Sequence, residues 1–111
     1  MKDGILLATG HVPSRASIDQ AKTAAKQCVI NALAAAATVC DLNEIAGVVR
    51  VGVFVNSDPT FTQQPQIANA ASELLQAIFG QNGQHARAAV GVAALPLDAA
   101  VEIEFTFELA L

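Results

Sequence analysis

Residues 85–105 read HARAAVGVAALPLDAAVEIEF, and the fold turns on how that stretch is placed. Apolar and small residues alternate with polar ones on either side of Leu95-Pro96, which predicts two strands joined by a tight turn. In the first, Ala86, Ala88, Val90 and Val92 share one face and His85, Arg87, Ala89 and Gly91 the other. In the second, Val101, Ile103, Phe105 and Phe107 oppose Glu102, Glu104, Thr106 and Glu108. The spacing therefore predicts an aliphatic face and, opposite it, a face that gathers Arg87 with the glutamates.

Upstream, AGVVRVGVFVNS predicts another strand, with Val49, Val51, Val53 and Val55 on the core side and Arg50, Gly52, Phe54 and Asn56 on the other. Ile67, Ala71, Leu74, Leu75 and Ile78 recur at helical spacing, from a start near Pro65 to a stop at Gly80. Ser17-Ile18-Asp19-Gln20 is a capping-box pattern. It opens a helix whose small-residue face carries Ile18, Ala21, Ala25, Cys28, Val29, Ala32 and Ala36. Residues 4–12 suggest a short strand broken at Gly10. The expected order is strand, helix, strand, helix, strand, strand: an α+β layer with both helices on the aliphatic face of the sheet. The other face mixes Phe54, Gly52, Ala89 and Gly91 with charge, and a half-apolar sheet face of this kind calls for a partner, most economically another copy of the chain.

The 111 residues, 53% of them hydrophobic, fit one domain, 1–111, with ample material for a core. Only 14% are charged and the net charge is -4. With no Lys/Arg cluster, nucleic acid is not an expected partner. The weakly polar run from Cys28 to Cys40 is too short to span a bilayer, and the N-terminus lacks a signal-peptide core, so no membrane association and a cytoplasmic location are expected. Cys28 and Cys40 read as two buried thiols on one helix, about 18 Å apart at 1.5 Å per residue and unable to bridge.

No phosphate-binding loop, dinucleotide fingerprint, C-x-x-C, H-E-x-x-H or G-x-S-x-G occurs. His11 and His85 are the only imidazoles, so no metal set is expected. Arg87 remains, and two readings of it stand side by side. Its planar fork of donors suits a bidentate grip on a carboxylate, and it equally suits a salt bridge to Glu102, Glu104 or Glu108 across the sheet. Glu102 reads either as a general base or as part of a solvated face. His85 reads as a surface or interface residue, and Phe54 as interface packing.

The arginine, the Val-x-Val step, Leu-Pro and Val-Glu-Ile-Glu follow one another in residues 85–105 as they do in the C-terminal signature of the Rid family, also called YjgF or reactive-intermediate deaminases. DLNEIAGVVRVGVFVNSDPTF and IANAASELLQAIFG extend the resemblance over nearly all of the chain, and FGQNGQHARAAVGVAALP is similar to a bacterial subgroup distinct from the best-studied RidA enzymes. The resemblance implies a chorismate-mutase-like fold and a homotrimer with a barrel-like centre and clefts between subunits. It implies hydrolysis of 2-imino acids, formed from enamines, to 2-oxo acids and ammonia without a cofactor. Arg87 would bind the substrate carboxylate and Glu102 would position the attacking water. Ala89 takes the place of a cysteine credited mainly with backbone contacts.

The resemblance also implies a strand hairpin ahead of Lys2-Asp3-Gly4, supplying an aromatic and a serine to the cleft. Since the sequence opens at Met1, a shortened member or one lacking its beginning is expected, with an unpaired sheet edge. Without that hairpin and that cysteine, the alternative is a non-catalytic trimer that captures a small carboxylate metabolite through Arg87. An RNA-cleaving activity, an old label for some relatives, fits the acidic charge least well.

Overall fold

The valine run forms the middle strand of a three-stranded sheet, β1 (Ile45–Asn56), in a computed structural model that describes residues 1–110. Val51, Val53 and Val55 are fully buried, each contributing roughly 1.5–3 kcal/mol of transfer free energy. The inward alternation does not extend back to Val49. The ladder shifts register between Val48 and Arg50, and across that irregularity Val48 is buried while Val49 is 49% exposed. Asn56, expected on the outer face, is fully buried at the strand's end.

Before the sheet comes α1 (Ile18–Ala36). Both reciprocal hydrogen bonds of the Ser17/Gln20 capping box are formed, and Ala21, Ala25 and Val29 are buried. Cys40 lies beyond the end of this helix, so the two cysteines do not share it, and both are half-buried. A single 3-10 turn at Leu42–Glu44, capped by Asp41, leads into β1. The second helix, α2 (Gln64–Phe79), has Pro65 in its first turn, where no intrahelical N–H is needed, and stops at Gly80 with φ 63°, in the left-handed region. Its Ile67, Ala68, Ala71 and Leu75 are fully buried against the sheet.

The last two strands are β2 (Ala86–Val92) and β3 (Val101–Leu109). They do not form a hairpin. β2 pairs with β1 in parallel and β3 pairs with it antiparallel, so β1 separates them in the order β2-β1-β3. The connection through Leu95-Pro96 crosses the C-terminal end of β1, turning at Leu97 and Asp98, whose φ values are 59° and 56°. An Arg15–Asp98 ion pair of 2.7 Å ties this crossing to the N-terminal segment. Residues 4–12 run beside it through isolated bridges, Thr9 to Ala99 and Val12 to Ser57, and form no strand of their own. Gly10, in the left-handed region at φ 91°, is where the extended path breaks.

Register fixes the faces. Val51 pairs with Arg87 on one side and Phe105 on the other, and Val53 pairs with Ala89 and Ile103. Directly paired residues project to the same face. Arg87 and Ala89 therefore lie on the helix-covered face with the valines, and His85, two residues before Arg87, points the same way. The phase expected for β2 is inverted. Its weak contrast, three alanines, two valines and a glycine around one arginine, leaves the choice to pairing with β1. The open face holds Arg50, Gly52 and Phe54 of β1, Ala86, Ala88 and Val90 of β2, and Glu102, Glu104 and Thr106 of β3. Arg50 and Glu104 pair across it at 3.0 Å. α1 packs over β3, and α2 over β1 and β2.

Between α2 and β2 a 3-10 turn, Gly80–Gly83, presses against the last turns of the helix. A Cβ at Gly83 would overlap the Leu75 carbonyl. Gly83→Ala is expected to lower stability by about 1–3 kcal/mol, because the clash is with backbone and cannot be relieved by a rotamer change. Ser17→Ala removes the capping box and is expected to cost about 1 kcal/mol. Urea unfolding followed by circular dichroism measures both.

Candidate functional site

Among the described residues Arg87 has two neutral partners and no acidic one. Its Nη1 donates to Oδ1 of Asn69 at 2.7 Å and to Oγ of Ser72 at 3.3 Å. Asn69 and Ser72 sit three residues apart on α2, the spacing that puts two side chains side by side on one helical face. Among the described residues, the other two arginines each hold a carboxylate, Arg15 that of Asp98 and Arg50 that of Glu104. The salt bridge to Glu102, Glu104 or Glu108 open on sequence grounds is thus absent, since those glutamates lie on the other face. With Nη1 anchored, the Nη2 and Nε edge of the guanidinium, still carrying three hydrogens, has no hydrogen-bond partner among the described residues and can meet a planar oxyanion.

Ser72 is nearly buried and links Arg87 to His85. His85 Nδ1 lies 2.6 Å from the Gly83 carbonyl oxygen. A carbonyl only accepts, so Nδ1 carries the hydrogen and Nε2 of the neutral ring is bare. The Ser72 hydroxyl then donates to Nε2 over 2.8 Å while its oxygen accepts from Arg87. The chain of bonds runs from Asn69 and Arg87 through Ser72 and His85 to Gly83. His85 is therefore half-buried and doubly bonded, more constrained than a surface imidazole. Gln76, Gln84 and Glu73 complete the lining of a shallow cavity of about 260 Å³.

Sequence reasoning passed over Asn69, Ser72 and Gly83. The available signal was the three-residue spacing of Asn69 and Ser72, which interrupts the apolar stripe of α2 where β2 crosses it.

Glu102 lies elsewhere. It is exposed, pairs through the backbone with Phe54, and borders a groove of about 410 Å³ along the free edge of β3 with Cys28 and Asn31 of α1. β1 stands between Glu102 and Arg87, so they are two strand spacings apart, about 10 Å, and on opposite faces. No cavity of one chain brings them together among the described residues. Ala89 is half-buried against the core on the Arg87 side. Burial pushes the Cys28 thiol up, the N-terminal charge acting against it and Glu102 reinforcing it. Such a thiol stays protonated and unreactive at neutral pH. A wider depression of about 550 Å³ is lined by His11, Asp58, Phe61 and Gln64. There His11 Nε2 lies 2.7 Å from the Ala93 carbonyl oxygen and donates to it.

Among the described residues no three His, Cys, Asp or Glu side chains group closely enough to hold a metal ion, and no helix is long and apolar enough to cross a membrane.

Comparison with known proteins bears on this arrangement. The family model described as Endoribonuclease L-PSP matches residues 1–108. Protein TCP17 of Trypanosoma cruzi is 42% identical over 103 residues, which are 91% of this chain and 64% of that protein, so the chain spans less than two thirds of this relative's length. Among solved structures, an Agrobacterium tumefaciens protein of unknown function superposes with a TM-score of 0.94 at 40% identity, covering 100% of this chain and 72% of that one. A candidate endoribonuclease from Shewanella oneidensis superposes with a TM-score of 0.92 at 25% identity, covering 98% and 73%. Two helices packed on one face of a mixed sheet are the fold of these neighbours, and the chain belongs to the Endoribonuclease L-PSP family, the Rid or YjgF family.

Proposed function

We propose that this chain hydrolyses 2-imino acids to 2-oxo acids and ammonia in a cleft between copies, with Arg87 holding the substrate carboxylate. The observation that carries this reading is the anchored guanidinium with an open edge: of three arginines, this one alone lacks a carboxylate among the described residues. A bound carboxylate would complete the fork with two parallel N–H···O bonds.

Glu102 supplies the second half of the chemistry. It takes a proton from water as the water oxygen adds to the C=N carbon, and returns that proton to the former imine nitrogen. The resulting carbinolamine passes its hydroxyl proton to that nitrogen, again by way of Glu102, as the C–N bond breaks, the carbonyl forms and ammonia leaves. Imines of this class hydrolyse without help, so orientation of water against a held substrate is enough. Ala89 would act through backbone groups. It lies on an edge strand, where half the main-chain donors and acceptors face away from the ladder.

Arg87 and Glu102 belong to opposite edges of one sheet, so a joint site needs the β2 side of one copy against the β3 side of the next. Contacts of that head-to-tail kind form a ring when the rotation from copy to copy closes on itself. A homotrimer satisfies this, and the open face, with small residues on β2 and the half-buried Phe54, is suited to packing against neighbouring copies. The ligand in this reading is a small carboxylate metabolite and no organic cofactor or metal takes part. A cytoplasmic location remains part of the proposal. The acidic net charge of -4 disfavours the RNA cleavage that the family description names.

Binding without catalysis is the second reading, favoured by the exposure of Glu102 and its distance from Arg87 within one chain. The two are separated by following the decay of a 2-imino acid, generated by an amino-acid oxidase and trapped with semicarbazide. Wild-type protein is expected to speed decay and Arg87→Ala to slow it at least about tenfold, the loss of one charge-assisted bidentate contact. Unchanged decay with wild type, together with 2-oxobutyrate binding that Arg87→Ala abolishes, would leave only the binding reading. Mixing Arg87→Ala with Glu102→Gln, each inactive alone, is expected to restore up to about a quarter of wild-type activity if sites are shared between copies at random. A site within one chain restores none. Light scattering on the same samples gives the number of copies.

A further inference from the structure

We infer that the ligand carries a second anionic group, received by Lys22 and Lys26 of α1 in a cavity adjoining that of Arg87. The inference rests on the carboxylate-binding reading of Arg87 and narrows its substrate class to diacids: 2-imino or 2-oxo acids whose side chain ends in a further carboxylate.

α1 and α2 pack side by side, and the furrow between them opens into a cavity of about 340 Å³ lined by Lys22, Lys26, Gln66, Asn69, Ala70 and Glu73. Asn69 and Glu73 also line the cavity of Arg87 and His85, so the two spaces adjoin along α2. The chain has three lysines, and two of them stand here, four residues apart and therefore on one face of α1. Among the described residues neither makes an ion pair. Like charges at that spacing repel, and the repulsion is relieved when an anion sits between them. Lys22 is half-buried, which strengthens its attraction for such an anion.

The bond that anchors Arg87 also prepares the neighbouring space. Asn69 Oδ1 accepts from Nη1, so the two hydrogens of Nδ2 are left without a partner among the described residues. Asn69 thus offers an acceptor to the guanidinium and donors to an anion beside it. Charge points the same way. Arg87, Lys22 and Lys26 face one acid, Glu73, across the two cavities, an excess of two positive charges on a chain whose net charge is -4. One carboxylate on Arg87 offsets half of that excess, and a diacid offsets all of it. Lysine ammonium groups on flexible stems select for charge more than for an exact chain length, so the class is set by the second carboxylate.

Titration calorimetry at low ionic strength with 2-oxobutyrate, 2-oxoglutarate and 2-oxoadipate tests this. Wild-type protein is expected to bind at least one diacid about threefold to tenfold more tightly than 2-oxobutyrate, the gain available from two partly screened lysines. In Lys22→Gln/Lys26→Gln, which keeps good helix formers, the diacid and monoacid affinities are expected to converge. Lys26→Gln alone, at an exposed position, keeps the test available should the double variant fold poorly, and is expected to narrow the gap. Lys2→Gln removes the lysine that lines neither cavity and is expected to leave the gap as it is. Equal binding of all three acids by wild type overturns the inference and leaves Arg87 as a monoacid site. A diacid preference that survives in Lys22→Gln/Lys26→Gln, or that Lys2→Gln removes as well, traces it to something other than this cavity and overturns the inference too. Absence of binding by every acid removes the carboxylate reading of Arg87, and the second subsite with it.

Discussion

The parallel pairing of β2 with β1, which sets Arg87 opposite Val51, is the constraint on which the rest depends. A parallel neighbour requires a crossover, and α2 provides it, lying over both strands. Because paired residues share a face, the register carries Arg87 to the side where α2 lies. A shift of one residue would expose it on the open face among the glutamates, and would turn Ala88 and Val90 inward. The valines of β1 resist such a shift, since Val51, Val53 and Val55 must stay inside.

Arg87 lies on the helix-covered side of the sheet, but at its edge, where the side chain stays exposed and its charge keeps contact with water. Here two neutral oxygens, from Asn69 and Ser72, meet one nitrogen and leave the charge uncancelled. Neutral acceptors hold the side chain still without competing for its charge, which a carboxylate neighbour would do. Arg15 and Arg50 show the contrasting arrangement: each is closed by an acid, and each serves to fasten one segment to another. The site is thus distinguished less by which residue it contains than by what has been kept away from it.

Much of the fold was legible in local patterns. The capping box at Ser17, the valine run of β1, Pro65 and Gly80 each act within a few residues and appear as read. The faces of β2 were not legible. Seven residues dominated by alanine carry almost no amphipathic signal, and a single arginine by itself points to the solvent side. Its long apolar stem and polar tip allow it to cross a covered face if α2 offers oxygen atoms. That offer is a tertiary fact. The same holds for the Leu95-Pro96 turn, read as a hairpin because the strands it joins are near in sequence. Pairing β2 with β1 instead sends the chain across the sheet, and so parts Arg87 from Glu102 within one molecule. The family motif kept these two residues together in sequence, while the structure shows that within one chain they lie at opposite edges.

β3 is an outer strand of this sheet, nine residues long, with Val101, Ile103, Phe105 and Phe107 on one face and Glu102, Glu104 and Glu108 outward. Without those acids it would be a ready template for another strand. Arg50 pairs with Glu104, so among the described residues the barrier against the same row on a second molecule falls to Glu102 and Glu108. Near the sequence pI of about 4.9 the barrier fades as the net charge vanishes. An outer strand guarded by charge in this way is protected against fibril-like stacking at neutral pH, where the net charge is -4.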